Sequence, residues 1–433
     1  SLLSRLAIGL STGGQVESRS KGAIVSTVGG AAAFWPRCIL FTLMICVLGG
    51  QASATPEGRI NGPDNAPRIA LTTILPGRSL YSAFGHSAIR VSYPNGGPDL
   101  LYNYGLSAKP FDLRFALGML VGKMPFMAAR LRTGDAYEFY SQVEDRTIVE
   151  QVLSLGSEES AALIAALEED VRPERNTYNY RYFTDNCATR PWLRLGTHLT
   201  STSQREAGVL EGTMRDHLRR ALKDRPWLAL GIDLMLGPDA EKSGMEAGPF
   251  LPEHLKELVT SSVVVDAAGS RPAVVETITV YTSRSGAERQ DTRAPWIIIL
   301  ILGALAIVAS FRPSSWLARI LDAGLFSASF LGALVIVAFW LLAGYAETAW
   351  NLNLFWMNPL ALVALILAGR KRAIPASRVF LIAGILSLVV VVGGGLGIQE
   401  IGLEARILSA IIALRCLSRS RFIPALRKVA IRP

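Results

Sequence analysis

Thiols are scarce in this chain, and their placement narrows what it can be. Four cysteines occur in 433 residues. Cys38 and Cys46 fall in an N-terminal apolar run, and Cys416 follows the last apolar run, so Cys187 is the one cysteine of the polar part. That excludes a disulfide framework there. No C-x-x-C and no H-x-x-x-H spacing occurs, which argues against zinc, and no glycine-rich phosphate loop or other cofactor motif stands in the polar part. Charged residues are also few, at 18%. The net charge of +9 does not point to nucleic acid. In the C-terminal half the arginines sit in short loops between apolar runs, where the positive-inside rule accounts for them, and no nucleic-acid module accompanies them.

What is abundant is apolar sequence: 50% of residues are hydrophobic. They concentrate at residues 38–50 and from 296 onward. Residues 1–33 are rich in Ser, Gly and Arg and carry no fold signal. Pro36-Arg37, the run CILFTLMICVLGG and then Gln51-Ala52-Ser53-Ala54 read as a secretory signal peptide, with Ala52 and Ala54 at the cleavage positions. An uncleaved anchor gives the same topology. The expected organisation is an extension and leader at 1–54, an exported domain at 55–282, a linker at 283–295, a bundle of four or five membrane helices at 296–415 and a basic cytoplasmic tail at 416–433. Spans are expected at Trp296–Phe311, Leu325–Tyr345, Asn358–Ala368 with the preceding Leu354–Met357, Val379–Ile398 and, marginally, Gly402–Leu414. Arg312 and Arg319, then Arg370, Lys371, Arg372 and Arg378, then Arg415 to Lys428 alternate as an N-out protein of the bacterial inner membrane requires.

Within 55–282 the pattern is α+β. Arg68–Ile74 is a strand ended by Pro76-Gly77, and His86–Tyr93 alternates with His86, Ala88, Arg90 and Ser92 on one side. Asn95-Gly96-Gly97 signals a hairpin, with a return strand over Leu100–Tyr104 stopped by Gly105; closing it brings Asn103 or Tyr104 near His86. Residues 111–131 read as an apolar, weakly helical lid or buried helix. Ala136–Val143 and Arg146–Leu155 read as a second hairpin, and Ser157 onward as a helix ended by Pro173. The alternating Tyr178–Phe183 stretch is extended. It leads into Asp185-Asn186-Cys187 and a helix whose first turn holds Pro191, so Cys187 stands at a helix N-terminus, a place that lowers a thiol pKa.

A thiol nucleophile needs a base and a group that orients it. Of four histidines, His198, His217 and His254 read as surface residues. His86 starts a strand beside a polar strand and is the candidate base for Cys187. A buried structural cysteine is the competing reading of Cys187.

The ordered motifs PGRSLYSAFGHSAIRV, LYNYG, YRYFTDNCATRP, GIDLMLGPDA and FLP, followed by apolar spans, resemble the Lnb family of bacterial envelope proteins, whose members include lipoprotein N-acyltransferases. The resemblance implies that Cys187 is the nucleophile and His86 its base. The order of His strand, polar strand, then Asn-Cys at a helix start is also similar to the circularly permuted papain-like fold of NlpC-type and lecithin–retinol acyltransferase-like thiol enzymes. By that likeness Asn103 or Tyr104 orients His86, and the Cys187 backbone N–H, with Asn186, forms an oxyanion hole. Arg90 and Arg190 stand open between binding a phosphate headgroup and making structural ion pairs. The implied reaction is transfer of a phospholipid acyl chain through a Cys thioester to an amine, such as the N-terminal cysteine of a lipoprotein. An envelope thiol hydrolase and a non-enzymatic binding domain are the alternatives. The implied partners are a phospholipid acyl donor, a lipoprotein or other amine acceptor and the membrane.

Overall fold

The computed structural model describes residues 66–94, 96–107, 112–200, 208–266, 269–286, 290–370, 373–393 and 397–420. The leader, Cys38, Cys46, Asn95 of the expected hairpin turn and the basic residues beyond 420 lie outside them.

The β-branched and alternating runs build a seven-stranded antiparallel sheet. Its strands are β1 (Arg68–Ile74), β2 (His86–Ser92), β3 (Asp99–Ser107), β4 (Pro125–Arg132), β5 (Ile148–Leu153), β6 (Thr177–Asn179) and β9 (Val274–Tyr281), in the order β6-β4-β3-β2-β1-β5-β9. β7 (Val263–Asp266) and β8 (Gly269–Pro272) form a separate hairpin. Among the described residues, the α-helices of six or more residues preceding the apolar half are α1 (Leu113–Leu120), α2 (Thr133–Glu138), α3 (Ser157–Asp170), α4 (Thr189–Leu195), α5 (Met214–Ala221), α6 (Pro226–Met235) and α7 (Pro252–Ser261).

Strand alternation assigns the two sheet faces different jobs. Ile69, Leu71, Ile89, Val91, Tyr102 and Tyr104 point to one face. There they meet Leu163 and Leu167 of α3, Ala188 and Leu195 around α4, and Leu255 and Val259 of α7. Each such side chain, fully buried, stabilises the fold by about 1.5–3 kcal/mol. The other face carries Ile74, Ala88, Leu101 and Ile148 against Ala136 and Tyr140. It also carries polar groups, because Arg90 and the buried Glu150 pair across it.

Three segments depart from the expectation. Residues 111–131 split: α1 ends at Leu120, and Pro125–Arg132 is a strand, since the free edge of β3 takes up its alternating Phe126 and Ala128. Ala136–Val143 is helical, α2 continued by a π turn over Phe139–Val143, because Ala136 and Tyr140 four apart share the buried helical face. β3 does not stop at Gly105 but runs on to Ser107 through a bulge.

The apolar half is a bundle of α8 (Ala294–Phe311), α9 (Trp316–Val337), α10 (Leu360–Gly369), α11 (Ala373–Gly393) and α12 (Leu403–Arg419). Four stretches are long and apolar enough to cross a membrane: Ala294–Phe311, Trp316–Leu342, Leu352–Gly369 and Ile374–Gly393. The second and fourth start earlier than the hydropathy suggested. Arg319 and Asp322 on α9, and Arg378 on α11, are accommodated inside a helix rather than ending it. α12 continues past Leu414 to Arg419, and its Arg415 is fully buried against Asp322 of α9, with Nε 2.7 Å from Oδ1.

The sheet domain is seated on the bundle by a polar seam. Leu234 O at the end of α6 accepts from the side-chain amides of Asn351 (2.9 Å) and Asn353 (3.0 Å). Leu236 O accepts from Gln399 Nε2 at 2.9 Å, and Gly237 N–H donates to Glu347 O at 2.7 Å. These bonds are worth more at a buried seam than in water, since neither side is left unsatisfied.

Candidate active site

The polar face of the sheet positions the candidate base. His86 opens β2, and its Nε2 lies 2.9 Å from Oδ1 of Asn103, which sits opposite Ala88 on β3. An amide oxygen only accepts, so Nε2 carries the proton and Nδ1 keeps the lone pair. Tyr140 donates to the same oxygen at 3.4 Å, and its ring lies 6.0 Å from the imidazole. Burial, with the nearby Arg146 guanidinium, holds His86 well below its ordinary value, at about 4, against the opposing bond from Asn103. His86 is therefore neutral at physiological pH.

Cys187 comes to this edge from the other side. Its thiol sits against the Ser87 backbone N–H, one residue past His86, and 3.8 Å from the Tyr180 hydroxyl. Gly105 makes room for it. A Cβ there would stand 3.1 Å from the Tyr180 ring and 3.6 Å from the Cys187 Cβ, and the backbone at φ +87° is one that side chains rarely adopt. Burial pushes the Cys187 thiol up, outweighing the Tyr180, Ser87 and Arg146 contributions that favour the thiolate. That corrects the expectation of a thiol acidified by its helix. The helix is short, and Asn186 occupies its leading donors: Oδ1 accepts from Ala188 N–H (2.7 Å) and Thr189 N–H (2.9 Å). At rest both groups are uncharged: a neutral thiol at the Ser87 N–H and a neutral imidazole on the preceding residue.

The other expected site residues are placed plainly. Asn103 meets His86, whereas Tyr104, one residue on, faces the opposite core and donates to Asp170 at 2.7 Å. Alternation along β3 forces one or the other, and Asn103 shares the face of Ala88. Asn186 is no oxyanion donor: its Nδ2 is bonded to Tyr182 O (2.6 Å) and Phe250 O (2.9 Å), so it ties the loop that carries Cys187. Arg90 is held bidentate by Asp99 (2.9 and 2.7 Å) and by Glu150 (2.7 Å), and Arg190 by Asp185 while lying 3.4 Å over the Tyr178 ring. Both guanidiniums are committed to structural carboxylates rather than offered to a phosphate. His217 and His254 are buried rather than exposed, with ring centroids 4.2 Å apart beside Phe250, because α5 turns His217 inward with Met214 and Leu218. His198 is half-buried after α4.

Three members of the site went unnamed in the sequence. Tyr180 keeps its proton, since burial and the adjacent thiol raise it well above 10, so it is a donor beside the sulfur. Tyr140 and Arg146 frame His86, with the Arg146 guanidinium 5.7 Å from the Tyr140 ring. The signal for Tyr180 was the Tyr178-Tyr180-Tyr182 alternation; for the other two there was none, because Tyr140 comes from a helix read as strand and Arg146 from the turn between that helix and β5. No group of three or more potential metal ligands is found among the described residues.

Residues 63–211 match a family model described as the Lnb N-terminal periplasmic domain, and residues 291–425 match one described as the Lnb transmembrane domain. No curated protein and no solved structure matches the chain.

Proposed function

The chain belongs to the Lnb family of membrane-bound lipoprotein N-acyltransferases, a multi-pass inner-membrane protein with a periplasmic N-terminal domain, and from that premise we propose that Cys187 is its acyl carrier and His86 its general base. The observation that carries the proposal is the tautomer lock. Asn103 holds the Nε2 proton of His86, which leaves Nδ1 as the base, and the thiol sits at the next backbone N–H. The reaction runs in two balanced halves. Nδ1 takes the thiol proton as Sγ attacks the ester carbonyl of a phospholipid. The tetrahedral oxyanion collapses, the C–O bond breaks, and the lyso-lipid alcohol leaves with the proton from His86. An amine, the N-terminal cysteine of a lipoprotein, then attacks the thioester. His86 takes the amine proton and returns it to the departing sulfur, leaving an amide and the free thiol. Tyr180 and the Ser87 and Cys187 N–H groups are the donors for the oxyanion.

A circularly permuted papain-like arrangement, as in NlpC-type and lecithin–retinol acyltransferase-like enzymes, is the finer fold reading. Its support is the order of elements: a His-bearing strand, the Asn103 strand beside it, and a cysteine one residue before the helix cap. A hydrolase would share the pair. The bundle that seats the domain beside lipid favours transfer between lipid-borne substrates instead.

The test is intact-mass analysis of the full chain in phospholipid vesicles. A hydroxylamine-sensitive acyl adduct on Cys187 is expected, absent in Cys187→Ser and slowed by about 10²–10⁴ in His86→Ala. Mass spectrometry of lipoprotein N-termini with and without the protein then identifies the acceptor. An unmodified Cys187, or full N-acylation by Cys187→Ser, rejects the assignment.

A further inference from the structure

A buried thiol poses an access problem: Cys187 is 8% exposed, and a phospholipid chain has to reach it. The route is marked by α1. This helix buries none of its residues, and Leu113, Leu117 and Val121 beyond its end are 73%, 54% and 39% exposed on one face, spaced four apart. Such a face is not stable in water, yet the last turn of the helix is fixed. Met119 and Leu120 pack on Phe339, Ala343 and Tyr345, where the second membrane helix ends. Gly122, at φ +69°, comes so close to Ala343 that a Cβ would stand 2.7 Å from the Ala343 carbonyl oxygen. That end lies on the side from which the chain enters α8, so α1 rests at the outer surface of the membrane that the chain itself spans. The exposed Leu341 and Leu342 continue the apolar surface.

From the same point a file of rings leads to the thiol. Tyr345 and Tyr182 have centroids 6.2 Å apart, and Tyr182 and Tyr180 5.7 Å, with the Tyr180 hydroxyl on the sulfur. At the head of the file the Arg181 guanidinium lies 5.6 Å from the Tyr345 ring and makes a long 3.4 Å contact to Gly344 O. It makes no salt bridge among the described residues, unlike Arg90 and Arg190.

We propose that α1 lies in the outer leaflet and that Tyr345, Tyr182 and Tyr180 form a phospholipid subsite, with the phosphate at Arg181 and the acyl chain along the rings toward Cys187. This deepens, and rests on, the thioester reading above. Rings of this kind suit the boundary between headgroup and chain, and a guanidinium is matched to phosphate oxygens.

The test uses the full chain in vesicles of phosphatidylethanolamine and phosphatidylglycerol, with benzoylphenylalanine replacing Leu117 or Tyr182. Irradiation is expected to give a phospholipid mass adduct at both positions. An adduct at neither, or at 117 alone, overturns the subsite. In parallel, Arg181→Gln is expected to slow Cys187 loading from vesicle phospholipid about tenfold and to leave loading from a neutral, water-soluble short-chain ester unchanged. Equal loss with both donors, or no loss with either, assigns Arg181 a structural role and overturns the phosphate site. If the unsubstituted chain loads from neither donor, the thioester reading fails, while the crosslinks still decide whether lipid occupies the file.

Discussion

At the scale of single residues, the polar face does its work through neutrality. Many thiol enzymes keep a thiolate–imidazolium pair, but here burial acts on both partners in the direction of the uncharged forms. The sign of the pH dependence follows. As the proposed base, His86 has to be unprotonated, and with its value near 4 it stays so through the whole neutral and mildly acidic range. The rate of Cys187 acylation is therefore expected to be flat from about pH 5.5 to 8, with its acid limb near 4 rather than near the ordinary 6.5 of histidine. A pH–rate profile of acyl-adduct formation checks this, and a limb at 6 to 7 contradicts the buried neutral pair. Asn103→Asp sharpens the same point. A carboxylate in place of the amide still accepts the Nε2 proton but stabilises imidazolium, so the limb should move to higher pH while activity on the alkaline plateau persists. A structural role alone would lower the plateau and leave the limb in place.

At the scale of elements, the strand that carries His86 was legible and the helix that frames it was not. β1 and β2 followed from alternation and from Pro76-Gly77, and α3 from its acidic first turn. The Cys187 loop followed from the Asn-Cys step before a helix start. Alternation also held the choice between Asn103 and Tyr104, but which face meets His86 is decided only once β2 and β3 are in register. Ala136–Val143 failed because its aromatic residues suit either structure, and tertiary packing of Tyr140 decided. Asn351 and Asn353, just ahead of α10, hold the end of α6. Asn353 is 1% exposed and also accepts from Trp356 Nε1 at 2.9 Å. Asn353→Ala thus strands a buried indole N–H and weakens the seam, at a cost of about 1–3 kcal/mol. Thermal melting of the full chain in detergent should show a lowered midpoint. An unchanged midpoint would mean that the seam contributes nothing to stability.

At the scale of the whole molecule, the chain places a water-facing sheet and a lipid-facing bundle on one polypeptide. Each half solves its own solvent problem before the two are joined. The sheet buries its charges in pairs, Arg90 with Glu150 and Arg146 with Glu144. The bundle does the same with one network: Asp322 of α9 takes Arg415 and Arg419 of α12, and Ser310 of α8 takes Arg415 Nη1 at 2.8 Å. Hydropathy made α12 the marginal span because of those arginines, yet they are what bind it to α8 and α9. A buried pair is weak evidence for net stability, but removing one partner leaves the other charge without compensation, at about 3–5 kcal/mol. Asp322→Ala is accordingly expected to deplete the folded chain from membranes and to lower its melting midpoint, and Arg415→Leu to do the same. The double variant Asp322→Leu with Arg415→Leu should recover much of both losses, although Arg419 still needs a new partner. Detergent melting and membrane abundance of the three chains decide the matter. If the double variant is as unstable as the sum of the singles, the network is not acting as a charge pair, and α12 is held by its apolar face alone.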